Sequence, residues 1–276
     1  MGVYLIGLCR YWRLSLLLLM ALPACGQSHE ARGTREAALL KEWQALATHA
    51  RDELENPRAS VIAAELALLR PEGVEPILRV LEDPGAEPEM RVFAATSIEG
   101  LAVLDDDGSL LLNRVASLLD ATDNATTRAC ALHILANGMR EEDQVLFQAY
   151  VTDEDPRVRL AAWGGLARQG DDNAVEMLAV IARDAMETPA IRDRAFYELA
   201  YSARPDLDAL SEALDAPFTT ISTRLAIADT LARLGTAVQL DAIRRKLAGQ
   251  EVASEEREAL KTTMRAILAR ISEGQE

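Results

Sequence analysis

Residues 154–170 read EDPRVRLAAWGGLARQG, and this stretch decides the fold. Asp155 is suited to cap a helix, because its carboxylate can accept hydrogen bonds from the first backbone amides. Pro156 suits the first helical turn, where no amide donor is needed. Four small residues follow: Ala161, Ala162, Gly164 and Gly165. Side chains this small predict that neighbouring helices approach closely at this point, so a large residue here would overpack the contact.

The features of this stretch recur at a nearly constant step along the chain. An arginine with apolar residues three and seven positions later occurs at Arg91, Arg128, Arg159 and Arg192, and more loosely at Arg224 and Arg257. An earlier unit begins near Ser60 without an arginine, and the anchors are separated by 31 to 37 residues. Offsets of three and seven lie on one helix face. A second apolar block about 18 residues past most anchors predicts a second helix in each unit.

A stack of helix pairs is the architecture that this repeat predicts. Neither helix of a pair can bury its apolar stripe alone, so neighbouring units must pack against each other. Aromatic residues make up only 4% of the chain, which favours helices over strands. Residues 34–55 carry Leu39, Trp43 and Leu46 at helical spacing and are predicted to be a capping helix. We expect an all-α fold, with repeats over residues 56–272 inside a repeat domain of residues 34–276.

Residues 155–172, DPRVRLAAWGGLARQGDD, resemble the HEAT-like repeat best known from phycobilin lyases. The resemblance covers residues 56–272 and implies a right-handed α-solenoid of about seven helix pairs, closed by the N-terminal capping helix. It also implies that the recurring arginines are structural and pair with turn aspartates, for which Asp123, Asp153 and Asp155 are the candidates. These arginines are Arg91, Arg128, Arg159, Arg192 and Arg224.

The N-terminus has the pattern of an export signal. Arg10 and Arg13 precede an apolar stretch at residues 14–24, which is shorter than the roughly 20 residues that a spanning helix needs. The alternative is an uncleaved anchor that starts at Val3. It would bury both arginines, at a cost of about 2.5–3.5 kcal/mol each at mid-membrane. We therefore expect residues 1–24 to be a signal peptide.

Residues 22–25 read LPAC and resemble the lipobox of bacterial lipoproteins. Leu22, Ala24 and Cys25 match the usual residue types, whereas Pro23 is a less common occupant of its position. The resemblance implies lipidation of Cys25 with two or more acyl chains, which anchor a protein stably. Residues 25–33 would then be the lipidated N-terminus and a short flexible tether. The alternative is an ordinary cleaved signal in which Cys25 is incidental.

Export and the acidic composition restrict the partners. Gly26 follows Cys25, which by analogy with Gram-negative lipoproteins implies the outer membrane, facing the periplasm. The formal net charge is −15, from 29 basic and 44 acidic residues. This excess repels nucleic acid and anionic lipid headgroups. We expect no nucleic-acid partner, and membrane contact only through the lipid anchor.

Catalytic and metal-binding patterns are missing from the sequence. No CxxC or HExxH spacing indicates a zinc site, and the acidic turn at residues 105–107 lacks the ligand pattern of a calcium loop. We predict His133 to be a packed or hydrogen-bonded residue at the edge of the core, and Cys130 to be a small buried residue. We assign no catalytic, cofactor-binding or metal-binding residues.

Two hypotheses for the function follow from the sequence. The first is a non-catalytic, membrane-tethered scaffold that presents a solenoid surface to a protein or peptide partner in the bacterial cell envelope. The alternative is an enzyme of the HEAT-like lyase or glycosylase type with an unrecognised active site. The aromatic residues Phe196, Tyr197 and Tyr201 fit either the core or an exposed, partner-facing stripe.

Overall fold

The computed structural model describes residues 29–48, 57–69, 71–99, 101, 109–249 and 252–273. Within these ranges every regular element is a helix and no strand occurs, which confirms the all-α prediction. The chain divides into two compact units, Met1–Gly138 and Met139–Glu276. The predicted signal peptide and the predicted lipidation site, Cys25, lie outside the described residues.

The first unit contains six described α-helices. They are α1 (His29–Ala47), α2 (Pro57–Leu69), α3 (Glu75–Glu82), α4 (Pro88–Ile98), α5 (Ser109–Ala121) and α6 (Ala125–Gly138). Helix α4 contacts both α2 and α6, which carry the preceding and the following repeat anchor. Helix α1 packs against α2, while α3 packs against α4 and α5 packs against α6.

The second unit contains eight described α-helices. They are α7 (Gln144–Tyr150), α8 (Pro156–Arg168), α9 (Asp172–Arg183), α10 (Pro189–Ala200), α11 (Leu207–Ala213), α12 (Ile221–Leu234), α13 (Leu240–Ala248) and α14 (Ser254–Ser272). Helix α10 contacts α8 and α12, and α12 contacts α14. Helix α9 packs against both α8 and α10, and α11 packs against both α10 and α12. Each helix therefore packs mainly against helices close to it along the chain.

Along the chain, anchor-bearing helices alternate with second helices. We call α2, α4, α6, α8, α10 and α12, which carry Ser60 or a repeat arginine, the first helices. We call α3, α5, α7, α9, α11 and α13 the second helices. The unit predicted to start near Arg257 differs, because it is the single 19-residue helix α14 and not a pair. The described chain thus has six pairs in sequence order where about seven were expected.

The N-terminal helix also differs from its predicted bounds. Helix α1 begins at His29 and ends at Ala47, so the last five residues of the predicted flexible tether are helical. Its apolar residues Leu39 and Trp43 are buried, as expected of a helix that covers the end of the repeats. Residues 49–55, which complete the predicted capping helix, lie outside the described residues.

Helix starts are fixed by the caps that the sequence indicates. The Asp155 carboxylate accepts a hydrogen bond from the Arg157 amide at 2.8 Å, and Pro156 opens α8, which confirms that prediction. The Arg157 guanidinium also donates to this carboxylate and lowers the pKa of Asp155. At the other end of α8, Gly170 has a φ of 89°, a left-handed conformation that glycine adopts without strain.

The repeat positions form the core. At the six arginine anchors, the residue three positions later is buried, and so is the residue seven positions later except after Arg257. These residues are Ala94, Ile98, Ala131, Leu135, Ala162, Leu166, Ala195, Leu199, Ile227, Leu231 and Leu260. The exceptions in the seven units are Met264 and Ala67, which are partly exposed. Cys130 was predicted to be buried, but it is also partly exposed, because its neighbour Ala131 takes the inward position on α6.

The glycine pair in α8 lies where two neighbouring helices come closest. A Cβ atom on Gly165 would stand 2.5 Å from the ring of Phe147, which is fully buried on α7. A Cβ atom on Gly164 would stand 2.6 Å from the carboxylate of Glu198 on α10. Both distances are far below van der Waals contact. The predicted close approach at the small residues of α8 is therefore confirmed on two sides of the helix.

We expect Gly165→Ala to destabilise the protein by about 1–3 kcal/mol, because the new methyl group overpacks the Phe147 ring. The matched control is Gly33→Ala in α1, where nothing lies within 4 Å of the new Cβ atom. There the substitution should stabilise the helix by about 0.5–1 kcal/mol, because alanine loses less conformational entropy than glycine. Urea unfolding of both variants measures the difference. Equal effects of the two substitutions would contradict the close approach.

Candidate functional site

The five predicted structural arginines occupy one equivalent helix position. Each is the fourth residue of its helix, α4, α6, α8, α10 or α12, and Arg257 holds the same place in α14. A helical side chain tilts toward the N-terminus of its helix. From the fourth position it can therefore reach back to the connection that enters the helix. Arg128 is partly exposed at this position in α6.

The first group of these arginines donates to backbone carbonyls of the preceding connection. The Arg91 guanidinium, which is 2% exposed, donates to the carbonyls of Asp83 at 2.8 Å and Pro84 at 2.7 Å. Arg159 donates to the carbonyls of Asp153 at 2.8 Å and Glu154 at 2.9 Å. Arg159 thus donates to the main-chain carbonyl of Asp153, whereas the resemblance implied an ion pair with an aspartate carboxylate. The Asp155 carboxylate instead caps α8 and pairs with Arg157.

The later arginines follow the same rule with additional partners. Arg192 donates to the Ala182 carbonyl at 3.1 Å and lies over the Phe218 ring, 4.1 Å from its centroid. Arg224 donates to the Thr219 carbonyl and forms an ion pair of 2.8 Å with the buried Glu256 carboxylate. The bond from Arg192 satisfies a carbonyl in the last turn of α9, which has no intrahelical donor, and the bond from Arg224 holds the connection that enters α12.

A buried ion pair that the sequence analysis did not find joins α8 to α10. The Glu198 carboxylate is 1% exposed and lies 3.0 Å from Arg168 and 2.7 Å from Arg194. The two guanidinium groups also lie over the rings of Tyr201 and Tyr197, at 5.2 and 4.8 Å. The sequence signal for this cluster is Gly164, because only a residue without a side chain leaves room for the carboxylate.

The aromatic residues of α10 belong mainly to the core. Phe196 is buried and stacks on Phe218, with ring centroids 6.2 Å apart. Tyr197 is buried beside Tyr201, which is partly exposed. Of the two interpretations left open for these residues, the core interpretation holds for Phe196 and Tyr197.

His133 lies at the edge of the core of the first unit, as predicted. Its Nε2 atom is 3.1 Å from a carboxylate oxygen of Glu99, and 13% of its side chain is exposed. The Asn137 side chain donates to the same oxygen at 2.8 Å, and to the His133 carbonyl. The three residues form a polar link between α4 and α6.

A groove of about 700 Å³ opens along α9 in the second unit. Its apolar lining is Val175, Ala179 and Val180, and its charged lining is Asp172, Glu176, Arg183, Asp184 and Asp206. Helix α9 buries four of its twelve residues, whereas the adjacent α8 buries nine of thirteen. The outer face of α9 is therefore available for contact with another molecule.

The one arginine in the groove lining is held by acidic residues of α11 and its cap. Arg183 donates to Glu212 at 2.9 Å and to Asp206 at 3.3 Å. The hydrogen bond with Glu212 contributes most to raising the pKa of Arg183. Asp206 also caps α11 by accepting hydrogen bonds from the amides of Asp208 and Ala209. This network fixes the Arg183 side chain against one wall of the groove.

The acidic residues of the groove exceed its basic residues. Asp172 pairs with Arg204 at 3.0 Å, but both side chains are about 70% exposed, so solvent weakens the pair. Glu176 lies four residues from Asp172 on the same helix face. Like charges at this spacing destabilise a helix by about 0.2–0.5 kcal/mol. An apolar lining under an acidic excess is suited to bind a ligand that is both apolar and positively charged.

In the ranges given above, no group of three or more histidine, cysteine, aspartate or glutamate residues is arranged to hold a metal ion. Within the same ranges, no helix has the length and apolar content needed to cross a bilayer.

The chain has no detected match among known protein families or curated proteins, since no family model matches it and no curated protein is significantly similar to it in sequence.

Proposed function

We propose that this chain is a non-catalytic, membrane-tethered scaffold that binds a protein or peptide partner in the bacterial cell envelope. The observation that carries the proposal is the groove along α9, which combines an apolar lining with a charged border on an outward-facing helix. Ligand sites in proteins are typically concave, with apolar walls and a few polar groups that fix orientation. The groove has this composition.

The scaffold in this proposal is a right-handed α-solenoid. Two features support it: the repeat step of 31 to 37 residues in the sequence, and the contacts between successive first helices inside each compact unit. Proteins built from such repeats carry extended surfaces, because each unit contacts only its neighbours. The second helices would form one such surface, with the α9 groove as part of it.

Small-angle X-ray scattering of residues 26–276 tests the solenoid. A compact globule of this length has a radius of gyration of about 18 Å. A stack of six helix pairs is longer in one direction, so we expect a clearly larger radius and an elongated distance distribution. A radius near the globular value would contradict the solenoid.

Attachment to the membrane is the second part of the proposal. Residues 1–24 would be removed as a signal peptide, and Cys25 would carry the lipid anchor on the outer membrane, facing the periplasm. The support is the LPAC pattern at residues 22–25 and the short apolar stretch before it. Helix α1 begins at His29, so only residues 26–28 would separate the lipidated cysteine from the first helix.

We expect Cys25→Ala to abolish membrane association, because dual acylation is what gives stable anchoring in this proposal. Cell fractionation with a high-salt wash and incorporation of labelled palmitate measure the effect. The control is Cys130→Ala, which should fractionate with membranes like the unaltered protein. A Cys25→Ala protein that stays in the washed membranes would contradict lipidation.

Site-directed photo-cross-linking in cells tests the binding function. A photo-cross-linking amino acid replaces Val180 in the groove, or Val145 in α7, which are 55% and 71% exposed. The control position is Leu268 in α14, which is 42% exposed and distant along the chain from the groove. We expect a discrete protein adduct from Val180, with none from Leu268. The absence of an adduct from both second-helix positions would overturn the proposed function.

A further inference from the structure

We propose that the α9 groove selects a partner segment in which lysine or arginine residues flank an apolar side chain. This inference rests on the proposed binding function and specifies the chemistry of the partner. It follows from the arrangement of charged and apolar residues along α9, from the ion pairs that already occupy part of the groove, and from the exposed apolar residues beside it.

Charged and apolar residues alternate along the outer face of α9. Asp172, Glu176, Val180 and Asp184 follow each other at steps of four residues, and all four are exposed. Residues at this spacing lie above one another on one helix face, and the last of them is the C-cap. The stripe therefore reads acid, acid, apolar, acid. A segment bound along it would meet carboxylates on both sides of an apolar contact.

The ion pairs within the groove leave an acidic excess. The lining holds the four carboxylates of Asp172, Glu176, Asp184 and Asp206 and the guanidinium group of Arg183. Beside it, Glu212 pairs with Arg183 and Arg204 pairs with Asp172. Arg183 is held by the α11 side of the groove, and Arg204 pairs with Asp172 at its edge. The stripe residues in the middle and at the end of α9 therefore carry the uncompensated charge.

Glu176 and Asp184 carry this charge on either side of Val180. The Asp184 carboxylate accepts a hydrogen bond from the Met186 amide at 2.8 Å, which orients it at the end of the helix. Glu176 repels Asp172 one turn earlier. A cation placed beside Glu176 relieves this repulsion, and a second cation fits beside Asp184. The eight-residue step from Glu176 to Asp184 spans about 12 Å along the helix. In an extended partner segment, this distance matches two basic residues about four positions apart with an apolar residue between them.

Val180 lies between the two acids and can receive the apolar side chain, and Met186 is a second exposed apolar residue two positions after Asp184. Val180 is 55% exposed within the groove, and Met186 is 91% exposed in the connection that follows Asp184. Methionine is flexible and polarizable, so it adapts to partners of different shape. Their burial against an apolar side chain adds affinity that charge alone does not give, because surface ion pairs are weak.

The same charges exclude other classes of partner. Nucleic acids and anionic lipid surfaces are repelled by the acidic stripe, in addition to the net charge of −15 on the chain. An acidic peptide is repelled in the same way. A neutral apolar peptide would leave the carboxylates without a counter-charge. The segment that fits is therefore basic and contains at least one large apolar residue.

Fluorescence anisotropy with defined peptides tests this inference on the chain that starts at Gly26. The probe is a fluorescein-labelled 12-residue peptide with a central leucine and two lysines on each side, in a glycine and serine background. We expect saturable binding that weakens as salt rises from 20 to about 300 mM, because charge complementarity is screened. A peptide with glutamates in place of the lysines should not bind, and replacement of the leucine by serine should weaken binding.

Matched variants locate the binding site. The double variant Glu176→Gln and Asp184→Asn removes two charges from the stripe and should raise the Kd at least tenfold. The control, Glu255→Gln with Glu258→Gln, removes two charges from the exposed side of α14 and should change the Kd less than twofold. Val180→Ser should raise the Kd about fivefold. Circular dichroism verifies that each variant is folded.

Two results would overturn the inference. The first is an equal loss of affinity in the control double variant, because the peptide would then respond only to the net charge. The second is tight binding of the glutamate peptide. The cross-linking experiment keeps this inference distinct from the proposed function. If Val180 cross-links a cellular partner whose attached segment lacks basic residues, the scaffold function stands and the basic specificity falls. If no second-helix position gives an adduct, the scaffold function itself falls.

Discussion

The second unit depends on how closely helices can approach α8. Two consecutive glycines, Gly164 and Gly165, have no side chains to separate α8 from its neighbours. A different group fills the space beside each glycine. The Phe147 ring enters beside Gly165, and the Glu198 carboxylate enters beside Gly164. Because interiors are packed at near-crystalline density, one added methyl group cannot be absorbed without moving a ring or a charged cluster. The position of α8 thereby fixes where α9 and its outer face lie.

Two neighbouring helices of the second unit differ in how much of each is buried. Helix α8 buries nine of its thirteen residues, whereas α9 buries four of its twelve and turns its charged face outward. Helix α8 contacts α7, α9 and α10, so few of its positions stay exposed, whereas α9 contacts mainly α8 and α10 and keeps one face open. The charged residues of the groove therefore lie on the exposed face of α9, while its buried residues pack in the core.

The repeat positions and the helix caps could be predicted from the sequence because they depend on local rules. The spacing of Arg159, Ala162 and Leu166 defines one helix face, and Asp155 before Pro156 defines a helix start. The single helix α14 was missed, because the anchor frame at Arg257 resembles that of a pair while no second apolar block follows it. The helical start of α1 at His29 was also missed, since its polar residues look like a tether.

The groove and the Glu198 cluster could not be predicted, for a different reason. Glu198 meets Arg168 across 30 residues of chain, and Arg183 meets Glu212 across 29. Nothing in the local sequence distinguishes such charges from solvated surface residues. Gly164 and the acidic residues of α9 are visible in the sequence. Their roles depend on which side chains of the neighbouring helices lie beside them, and the sequence does not give those contacts.

Because Arg91, Arg159 and Arg192 bond to backbone carbonyls, they affect which substitutions the connections between helices tolerate. The connections entering α4, α8 and α10 read DPGAE, VTDED and DAMET, and in each an aspartate carboxylate accepts a hydrogen bond from the backbone amide two residues later. Arg91 and Arg159 donate to carbonyls within their connections, and Arg192 donates to the carbonyl of Ala182 in the last turn of α9. Every residue type carries a backbone carbonyl, so these bonds do not depend on the side chains at the bonded positions. Outside the three aspartates, these connections can therefore change in sequence without removing an acceptor of the arginines. Side chains such as Met186, which is 91% exposed, are open to substitutions that alter the protein surface and leave the fold intact.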